Sequence, residues 1–369
     1  MTTPAQLPGL YEPVRFSDLP GWEHDDQSAA WIAFRGSCAA VIDQSRNALA
    51  ARNSGPLQTV CASALQRPAK LDRAAARDFF ERNFVPHRVV SGGAPGLLTA
   101  YYEPIVAGSR TPQPGFTVPL HRRPADLVNL VDEAGRAASA GALTHARSEN
   151  GIVVPFATRQ QIDEGALGGK GLELFYVADI VERFFLQVQG SGIIALPDGQ
   201  QIRIGYDGKN GHPYTSVGRS LIDSGVMGAD TMSLEALAAW LRADPERGRR
   251  AIWQNKSYVF FREMPAAAAP VGVMGVALTP QRSLAIDPAF HQLGLPVFVD
   301  APSLAHITGK PFRQLMIGQD VGSAIRGPER GDVYAGSGAA AGKIAGVTKH
   351  PGRFYVLLPR PAFDGANPP

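Results

Sequence analysis

Two aspartates near the C-terminus stand among small residues in a pattern that could support acid/base chemistry. Asp320 lies in residues 319–327 (QDVGSAIRG) and Asp332 opens residues 332–338 (DVYAGSG), so the two carboxylates are twelve positions apart. The glycines in both stretches permit tight turns and let a bulky ligand approach, because no Cβ stands in the way. Each aspartate taken alone is also typical of a turn residue that bonds its own backbone. Acid/base chemistry and a structural role therefore both stay open at this point.

Polar and aromatic side chains crowd three further short segments of the chain. They are Thr99, Tyr101 and Tyr102; Gln187, Gln189 and Ser191; and Lys209, Asn210, His212 and Tyr214. If residues 184–189 form a strand, Gln187 and Gln189 lie on one face of it, and amides beside tyrosines suit hydrogen bonding and stacking against sugar rings. The alternative is a solvated strand face followed by a surface turn. The pattern thus indicates either a sugar groove or an ordinary polar surface.

Several common kinds of catalytic and cofactor motif do not occur in the sequence. The eight histidines include no His-Glu-x-x-His and the cysteines form no Cys-x-x-Cys, which argues against a metal site. Ser191 lacks the first glycine of a Gly-x-Ser-x-Gly elbow, so it is interpreted as a turn or ligand-contact residue, with a serine nucleophile as the alternative. Neither a Walker loop nor a Gly-x-Gly-x-x-Gly fingerprint occurs. Neither a metal nor a cofactor is therefore expected.

The composition predicts a folded protein with more than one globular unit. A chain of 369 residues exceeds one typical core, and its 44% hydrophobic and 19% charged residues are typical of a globular protein. Forty glycines and thirty prolines, many of them between short apolar runs, favour many strands and turns. With 36 basic against 33 acidic residues and no basic run interleaved with aromatics, nucleic acid is not an expected partner.

Local patterns divide the chain into a helical start and a β-rich remainder. Residues 27–84 have helical periodicity, and a further helix is expected at 233–243. Residues 184–189 and 201–204 contain the β-forming side chains of two strands, which a turn at 197–199 would join as a hairpin. These elements predict a mainly β fold with α+β character at the N-terminus.

The two cysteines and the chain start bear on the cellular compartment. Cys38 and Cys61 fall in successive helical patterns that could run antiparallel, and a disulfide between them would fit an oxidising compartment. The alternative is two buried cysteines that act as small apolar residues. No stretch of about 18 apolar residues occurs, and residues 1–8 lack the basic start and apolar centre of a signal peptide. Taken literally, this N-terminal sequence indicates a cytoplasmic protein. It is equally compatible with a chain that begins after a removed signal.

Several of these segments together resemble one known family. Residues 184–192 (FFLQVQGSG), residues 206–214 (YDGKNGHPY), residues 101–104 (YYEP) and the two-aspartate segment are similar to membrane-bound lytic murein transglycosylase A (MltA). The matches follow the family order from about residue 80 to 358 and are specific in combination. The helical region at 27–70 carries less of the resemblance.

The resemblance implies a two-domain fold. A double-psi β-barrel catalytic domain would consist of residues 1–106 plus 257–369, with the N-terminal helices of 27–84 attached to it. An inserted second β-barrel domain, residues 107–256, would form the other wall of a peptidoglycan groove.

The resemblance also implies an activity and roles for the aspartates. The family cleaves the β-1,4 bond between N-acetylmuramic acid and N-acetylglucosamine without water and leaves a 1,6-anhydromuramic acid end. Asp332, in the Asp-x-Tyr-x-Gly position, would be the single general acid/base, and Asp320, in the Asp-x-Gly-x-Ala-Ile-x-Gly stretch, a supporting acid. Asp287, in residues 285–288 (AIDP), would be a third motif aspartate that is grouped with the substrate-binding residues, although a structural role suits it better. The polar residues of the three segments described above would bind the glycan.

The implied partners and location follow from the substrate. Peptidoglycan glycan strands are the expected partner, with cell-wall synthesis enzymes as further candidates, and a monomer is expected. The implied location is the periplasm, with outer-membrane association dependent on a signal or lipid anchor that this chain does not contain.

One carboxyl can suffice for such a reaction because the substrate supplies its own nucleophile. A hydrolase normally needs two carboxyls, whereas Asp332 could protonate the leaving oxygen and then take the proton of the C6 hydroxyl that attacks C1. The first step needs a raised pKa, which partial burial and the negative charge of Asp320 would provide for Asp332.

Two other functions stay open. One is a non-catalytic carbohydrate-binding wall protein on the same kind of barrel, and the other is a glycosidase that hydrolyses with Asp320 and Asp332 as a pair. The presence of both C-terminal aspartates favours an enzyme. Ser323 and Arg326 stand where glycine and lysine are common in the family, which bears on fine specificity rather than on activity.

Overall fold

The computed structural model of the chain describes residues 9–43, 55–91, 96–131, 143–265 and 269–360. The start of the chain at 1–8 lies outside the described residues. Within the described ranges, none of the helices has both the length and the apolar character needed to span a bilayer.

Several helices begin where a short polar side chain caps the first free backbone N–H groups. They are α1 (Gln27–Ile42), α2 (Gly55–Leu65), α3 (Arg73–Asn83), α4 (Arg159–Gln161, continued by a π turn at Ile162–Ala166), α5 (Ile180–Gln189), α6 (Val217–Asp223), α7 (Leu234–Ala243), α8 (Pro245–Trp253) and α9 (Gly338–Val347). Asp26, Asp72 and Ser233 each accept a hydrogen bond from a backbone N–H in the first turn of α1, α3 and α7. Within its described part, the helical start predicted at 27–84 is confirmed as α1, α2 and α3, although residues 66–72 are not helical and Phe84 begins a strand. The helix predicted at 233–243 is also confirmed.

Strands make up most of the remaining regular structure. They are β1 (Tyr11–Pro13), β2 (Phe84–Val89), β3 (Gly96–Glu103), β4 (Ile105–Ser109), β5 (Val118–His121), β6 (Leu127–Asn129), β7 (His145–Glu149), β8 (Ile152–Val154), β9 (Glu173–Val177), β10 (Ser191–Ala195), β11 (Gln201–Lys209), β12 (Val259–Glu263), β13 (Ser283–Ile286), β14 (Pro296–Ala301), β15 (Phe312–Asp320), β16 (Arg330–Ser337) and β17 (Lys349–Pro359). The protein is therefore mainly β with additional helices, as the composition predicts.

The first of two compact units comprises Met1–Ala100, Val271–Gly336 and Thr348–Pro369. Its sheet has the order β1-β2-β17-β14-β15-β13-β16-β3, and β3 pairs with β17 as well. The pairings from β17 through β14, β15, β13, β16 and β3 therefore return to β17. Trp31 and Phe34 of α1 pack edge-on against Phe79 and Phe80 of α3, and all four rings are buried. This aromatic cluster forms the core of the helical part of the unit.

The second compact unit comprises Tyr101–Pro270 and Ser337–Val347. It contains a sheet of order β12-β11-β10-β4-β9-β5 and a smaller sheet of order β6-β7-β8. Phe175, Leu186 and Phe261 belong to the core of the larger sheet. Helices α5 to α8 share a separate core that includes Leu221 and Leu241.

The bounds of the second unit differ from those expected for an insertion at 107–256. The unit starts six residues earlier and ends fourteen residues later, and it also takes in Ser337–Val347, which the sequence analysis assigned to the other domain. The reason is packing, since α9 contacts α7 and the Ser337 hydroxyl donates to the buried carboxylate of Glu103 at 2.7 Å.

The strand predicted at 184–189 is wrong, because these residues form the second half of helix α5. The Asp179 carboxylate accepts a hydrogen bond from Glu182 N at the start of α5, and Gly190 ends the helix with a φ of 77°. These cap signals outweigh the β-forming tendency of two phenylalanines and a valine. Since residues two apart on a helix point in different directions, Gln187 and Gln189 do not share a face.

The hairpin turn predicted at 197–199 does occur, but it joins different strands. It connects β10 with β11. Ser191 and Ala195 of β10 pair with Gly205 and Gln201 of β11, respectively. The first strand of the hairpin therefore starts after Gly190, where the helix has ended, and not at residue 184.

The cysteines occur as two free, buried thiols on α1 and α2. The Cys61 side chain hydrogen-bonds Cys38, and burial raises the pKa of the Cys38 thiol above its usual range. Of the two alternatives left open by the sequence, the structure thus contains the buried thiols. Buried, protonated cysteines are expected to react slowly.

We expect a thiol reagent to find two reactive thiols per chain only after the protein is unfolded. Both side chains are wholly shielded from solvent in the folded state, so the native protein should react at least about tenfold more slowly than the unfolded one. The measurement is a colorimetric thiol count with and without denaturant, in the absence of reductant. A pre-reduced sample is the control. A count near zero in the unfolded, unreduced protein would show a Cys38–Cys61 disulfide instead.

Candidate active site

Asp320 and Asp332 lie on the two strands that flank β13 in the first unit. Asp320 ends β15 and pairs with Ala285 of β13, and Asp332 of β16 pairs with the same Ala285 from the other side. Paired residues of neighbouring strands point to one face of a sheet, so both carboxylates lie on the face of Ala285. Two strand spacings correspond to a separation of about 9 to 10 Å between their Cα atoms.

Asp332 is a half-buried residue, and its carboxyl has an altered acidity. Burial raises its pKa from an ordinary aspartate value to about 6, and the negative charge of Asp320 adds to this rise. A hydrogen bond from Thr99 Oγ1 to Asp332 Oδ1 and the positive charge of Arg330 act in the opposite direction. A carboxyl with a pKa of about 6 can both donate and accept a proton near neutral pH, which is what general acid/base catalysis requires.

The Asp320 carboxylate is held by the backbone. Its Oδ1 accepts hydrogen bonds from Val273 N at 3.0 Å and Val321 N at 2.9 Å. Gly272 permits this approach, because a Cβ there would lie 2.5 Å from Gln319 O and 3.1 Å from Asp320 Cβ. Asp320 therefore secures the turn that follows β15 and contributes its charge to the surroundings of Asp332.

Asp287 is buried and has a structural environment. Its Oδ2 accepts from Gly327 N at 2.8 Å, its Oδ1 accepts from Ala289 N at 3.1 Å, and Arg326 Nη1 lies 3.9 Å from Oδ1. The carboxylate thus ties the end of β13 to the glycine-rich segment after Asp320. This geometry favours a structural role for Asp287 over direct binding of a substrate.

Residues 101 and 102 in the second unit remain candidates for sugar contact. Tyr101 and Tyr102 are both half-buried. Gln189 Oε1 accepts a hydrogen bond from Tyr102 N at 3.1 Å, so its amide fixes the backbone that carries both rings. Ser191, at the start of β10, is also half-buried. These four residues retain surface that a ligand could contact.

Gln187 is part of the core of the second unit and not of an exposed strand face. Its side chain is 5% exposed. Its Oε1 accepts from Arg159 Nη1 at 2.5 Å and its Nε2 donates to Val259 O at 2.9 Å. Arg159 is fully enclosed, and its guanidinium lies over the rings of Phe184 and Tyr258. Because the amide satisfies a buried cation, Gln187 has no free group for a sugar.

Asn210 has a comparable structural role. It is fully buried, its Nδ2 donates to Ala157 O and Lys256 O at 2.8 Å, and its Oδ1 accepts from Tyr258 N at 2.8 Å. The amide therefore uses both polar ends to join three chain segments of the second unit.

The other candidates in the 209–214 segment support the same region. His212 Nε2 contacts Phe156 O at 2.8 Å, and burial raises the pKa of Tyr214. Lys209, at the end of β11, is half-buried. Gly211 has a φ of +88°, and a Cβ at this position would lie 2.1 Å from His145 O. The Lys209–Tyr214 region is thus mainly a scaffold, with parts of Lys209, His212 and Tyr214 accessible.

Replacing Gln187 by Ala should destabilise the protein rather than weaken substrate binding. The change leaves Arg159 Nη1 and Val259 O without their amide partner, and each buried group left unsatisfied costs about 1 to 3 kcal/mol. The measurement is chemical denaturation, with Val188→Ala on the exposed side of α5 as the matched control, since Val188 is 39% exposed. A variant of unchanged stability but reduced affinity for glycan would contradict the structural role.

Arg330 is the residue near Asp332 that the sequence analysis did not single out. Its Nη2 donates to Thr99 Oγ1 at 3.0 Å. The signal was present in the sequence, because Arg330 and Asp332 are two apart on a strand and therefore lie on one face. Residue 331 between them faces the core and is glycine, because a Cβ there would lie 2.6 Å from the Phe354 ring.

The described residues of the protein contain no group of three or more His, Cys, Asp or Glu side chains arranged to hold a metal ion.

Two family models match consecutive parts of the chain. Residues 97–262 match the MltA specific insert domain, and residues 282–358 match the 3D domain. The first match lies largely in the second unit, and the second match includes β13 to β17 with both flanking aspartates.

The chain is also similar to individual proteins. Its identity to the membrane-bound lytic murein transglycosylase A of Vibrio cholerae is 33% over 267 residues, which is 71% of this chain. The match spans 65% of the length of that curated relative. The crystal structure of a membrane-bound lytic murein transglycosylase from Agrobacterium tumefaciens is 37% identical with a TM-score of 0.85, over 95% of this chain and 98% of that one. The structure of Escherichia coli MltA with bound chitohexaose is 26% identical with a TM-score of 0.68, over 96% of each chain.

Proposed function

The chain belongs to the MltA family, and from that premise we propose that it is a lytic transglycosylase of peptidoglycan. Its substrate would be the β-1,4 bond between N-acetylmuramic acid and N-acetylglucosamine, and its product a 1,6-anhydromuramic acid end. The observation that carries the proposal is Asp332, a half-buried residue whose carboxyl has its pKa raised to about 6 beside Thr99 and Arg330. The relative with bound chitohexaose supports a saccharide as ligand.

Asp332 performs two proton transfers in this proposal. In the first, the protonated carboxyl donates to the glycosidic oxygen while the bond between that oxygen and C1 of the muramic acid breaks. In the second, the resulting carboxylate takes the proton from the C6 hydroxyl as O6 forms a bond to C1. The carboxyl ends as it began, and no water enters the product.

The hydrolytic alternative needs Asp320 as a second catalytic carboxylate. A base or nucleophile requires an oxygen that can reach water or C1. Since Asp320 Oδ1 accepts two backbone N–H groups, this carboxylate is better suited to holding its own turn. An intramolecular C6 hydroxyl makes a second carboxylate unnecessary, so the lytic reaction fits the site better than hydrolysis does.

The non-catalytic alternative needs Asp332 only as a hydrogen-bond partner of sugar hydroxyls. A pKa raised to about 6 by burial brings no benefit to a group that only accepts hydrogen bonds from sugar hydroxyls. It does, however, prepare the carboxyl as a proton donor, and perturbed acidity of this kind is typical of catalytic groups.

Substrate contacts, architecture and location belong to the same proposal. Tyr101, Tyr102, Gln189, Ser191 and Lys209 would contact the glycan, whereas Gln187 and Asn210 support the fold. The cyclic pairing order of the first unit is compatible with a double-psi β-barrel, and the second unit would be the inserted β-barrel. The protein would act as a monomer in the cell envelope, where peptidoglycan occurs, with cell-wall synthesis enzymes as candidate partners.

Digestion of purified peptidoglycan tests the proposal. We expect soluble muropeptides that are lighter by one water than the hydrolytic products, as measured by mass spectrometry. Reducing-end products would establish hydrolysis instead. Binding to the peptidoglycan without release of soluble fragments would establish a wall-binding protein. Digestion with an authentic hydrolase provides the mass standard for the control.

A further inference from the structure

Thr99 and Arg330 form a directed chain of hydrogen bonds that ends on the proposed acid. Arg330 Nη2 donates to Thr99 Oγ1 at 3.0 Å, and Thr99 Oγ1 donates to Asp332 Oδ1. The other arm of the guanidinium is anchored on the backbone, with Nη1 lying 2.5 Å from Gly331 O and 3.4 Å from Leu97 O. Arg330 therefore reaches the carboxyl through the threonine hydroxyl.

The direction of this chain follows from the number of hydrogens available. A guanidinium N–H can only donate, so Thr99 Oγ1 must accept from Arg330. A hydroxyl has one hydrogen, and with Arg330 on its acceptor side that hydrogen points to Asp332 Oδ1. Oδ1 is thereby used as an acceptor, and the proton of the neutral carboxyl belongs on Oδ2.

We propose that Arg330 is a positioning residue that acts through Thr99 to keep Oδ1 of Asp332 an acceptor and make Oδ2 the oxygen that transfers the proton. The inference rests on the proposed function and goes further, since it names the reacting oxygen and the residues that select it. During cleavage the Oδ2–H bond breaks as the proton moves to the glycosidic oxygen. The proton released by the C6 hydroxyl then returns to Oδ2.

Thr99 acquires a different role from the one expected from the sequence. It was grouped with the residues that bind substrate. Its hydroxyl, however, donates its hydrogen to Asp332 and accepts a hydrogen bond from Arg330. The same two groups also limit how far burial raises the pKa of Asp332, because both favour the ionised carboxylate. Removing either of them should therefore raise this pKa further.

The first arm of the test is a titration that needs no activity. The carboxyl ¹³C signal of Asp332, assigned by its disappearance in Asp332→Asn, is followed against pH in the wild type and in three variants. We expect Thr99→Val and Arg330→Met each to raise the pKa by roughly one unit, since each removes a group that stabilises the charged form. Thr99→Ser, which keeps the hydroxyl, should titrate like the wild type.

The second arm is the pH profile of glycan cleavage in the same variants. With a peptidoglycan tetrasaccharide as substrate, Thr99→Val and Arg330→Met should move the basic limb upward by the same amount as the titration. The plateau kcat should fall about 10- to 100-fold with little change in KM, because the defect lies in orienting the proton and not in binding. Thr99→Ser should restore the wild-type profile.

Each result has a defined meaning. If Arg330→Met lowers the melting temperature but leaves the Asp332 titration and the profile unchanged, Arg330 only supports the backbone and the proposal is wrong. If Thr99→Ser behaves like Thr99→Val, the methyl group matters and not the hydroxyl. Should Arg330→Met fail to fold, Thr99→Val alone tests the chain, because it removes the hydroxyl that links Arg330 to Asp332, and an unchanged titration and pH profile in that variant overturns the proposal. A wild type that makes no anhydro product refutes the proposed function, yet the titration still tests the hydrogen-bond chain.

Discussion

Replacing Asp332 by Asn should lower the rate of glycan cleavage by about a thousandfold or more. A positioned general acid/base contributes about 10² to 10⁴ in rate, and here one carboxyl serves both proton transfers. Asparagine keeps the size of the side chain and an oxygen that can accept from Thr99 Oγ1, but it has no proton to give to the leaving oxygen. The loss should therefore appear in kcat, with glycan binding largely kept.

The measurement is release of anhydro muropeptides by wild type and variant under identical conditions, with Asp320→Asn as the matched control. Asp320→Asn removes a carboxylate from the same face of the same sheet, and we expect it to retain activity within about tenfold of wild type because its effect on Asp332 is electrostatic. If the two variants were equally inactive, the two-carboxylate hydrolase would be favoured. Full turnover by Asp332→Asn would refute the role of Asp332 outright.

Unfolding should not account for the loss in Asp332→Asn. The pKa of Asp332 is raised on folding, so the ionised form destabilises the folded state, and this cost appears as the pH rises from about 4 through about 6. The asparagine variant should therefore be at least as stable as the wild type at neutral pH. The stabilities of the two proteins should converge at a pH below the pKa that Asp332 has in the unfolded chain. A thermal melt at pH 4 and pH 7 provides this control.

The rate of cleavage by the wild type should fall tenfold for each pH unit above about 6. The general acid must be protonated before it can act, and its pKa is about 6, so the active fraction decreases in proportion to the proton concentration. At pH 8 this leaves a rate about a hundredfold below the plateau. The expected profile has its plateau on the acid side, opposite to that of an enzyme that needs a free carboxylate first.

A kcat profile between pH 5 and pH 8.5 at saturating substrate measures this limb, with glycan binding measured separately over the same range. Asp320→Asn again serves as the matched variant. Because the charge of Asp320 raises the pKa of Asp332, its removal should shift the limb to lower pH. A rate that stays constant up to pH 8 would show that the rate-limiting proton donor is not a group with the acidity of Asp332.

The family could be identified from the sequence alone, and the sequence also singled out the two aspartates as candidates. The spacing of Asp320 and Asp332 among glycines and the order of the polar segments are properties of the chain itself, and the family matches confirm the resemblance. The mainly β character with helices at the N-terminus also follows from local composition, since glycine, proline and short apolar runs favour strands and turns. Short-range caps such as Ser233 are equally visible in the sequence.

Residues 184–189 show where local patterns mislead. Their β-forming side chains indicate a strand, but Asp179 and Gly190, which lie just outside the segment, cap it as a helix. As a consequence Gln187 turned inward to pair with Arg159, although its sequence pattern suggested a sugar-binding amide. Burial decides such cases, because a buried guanidinium must be satisfied and the nearest amide is used for it.

The sequence by itself determined which side chains the protein has for chemistry and in what order they occur along two domains. Only the tertiary structure decided that Asp320 and Asp332 flank the same residue of β13, that Thr99 from a strand more than 200 positions away donates to Asp332, and that Arg330 lies behind Thr99. The physical reason is that strand register, burial and acidity depend on which distant residues become neighbours. A pKa of about 6 for Asp332 arises from the loss of water around it and from charges that the folded chain brings near.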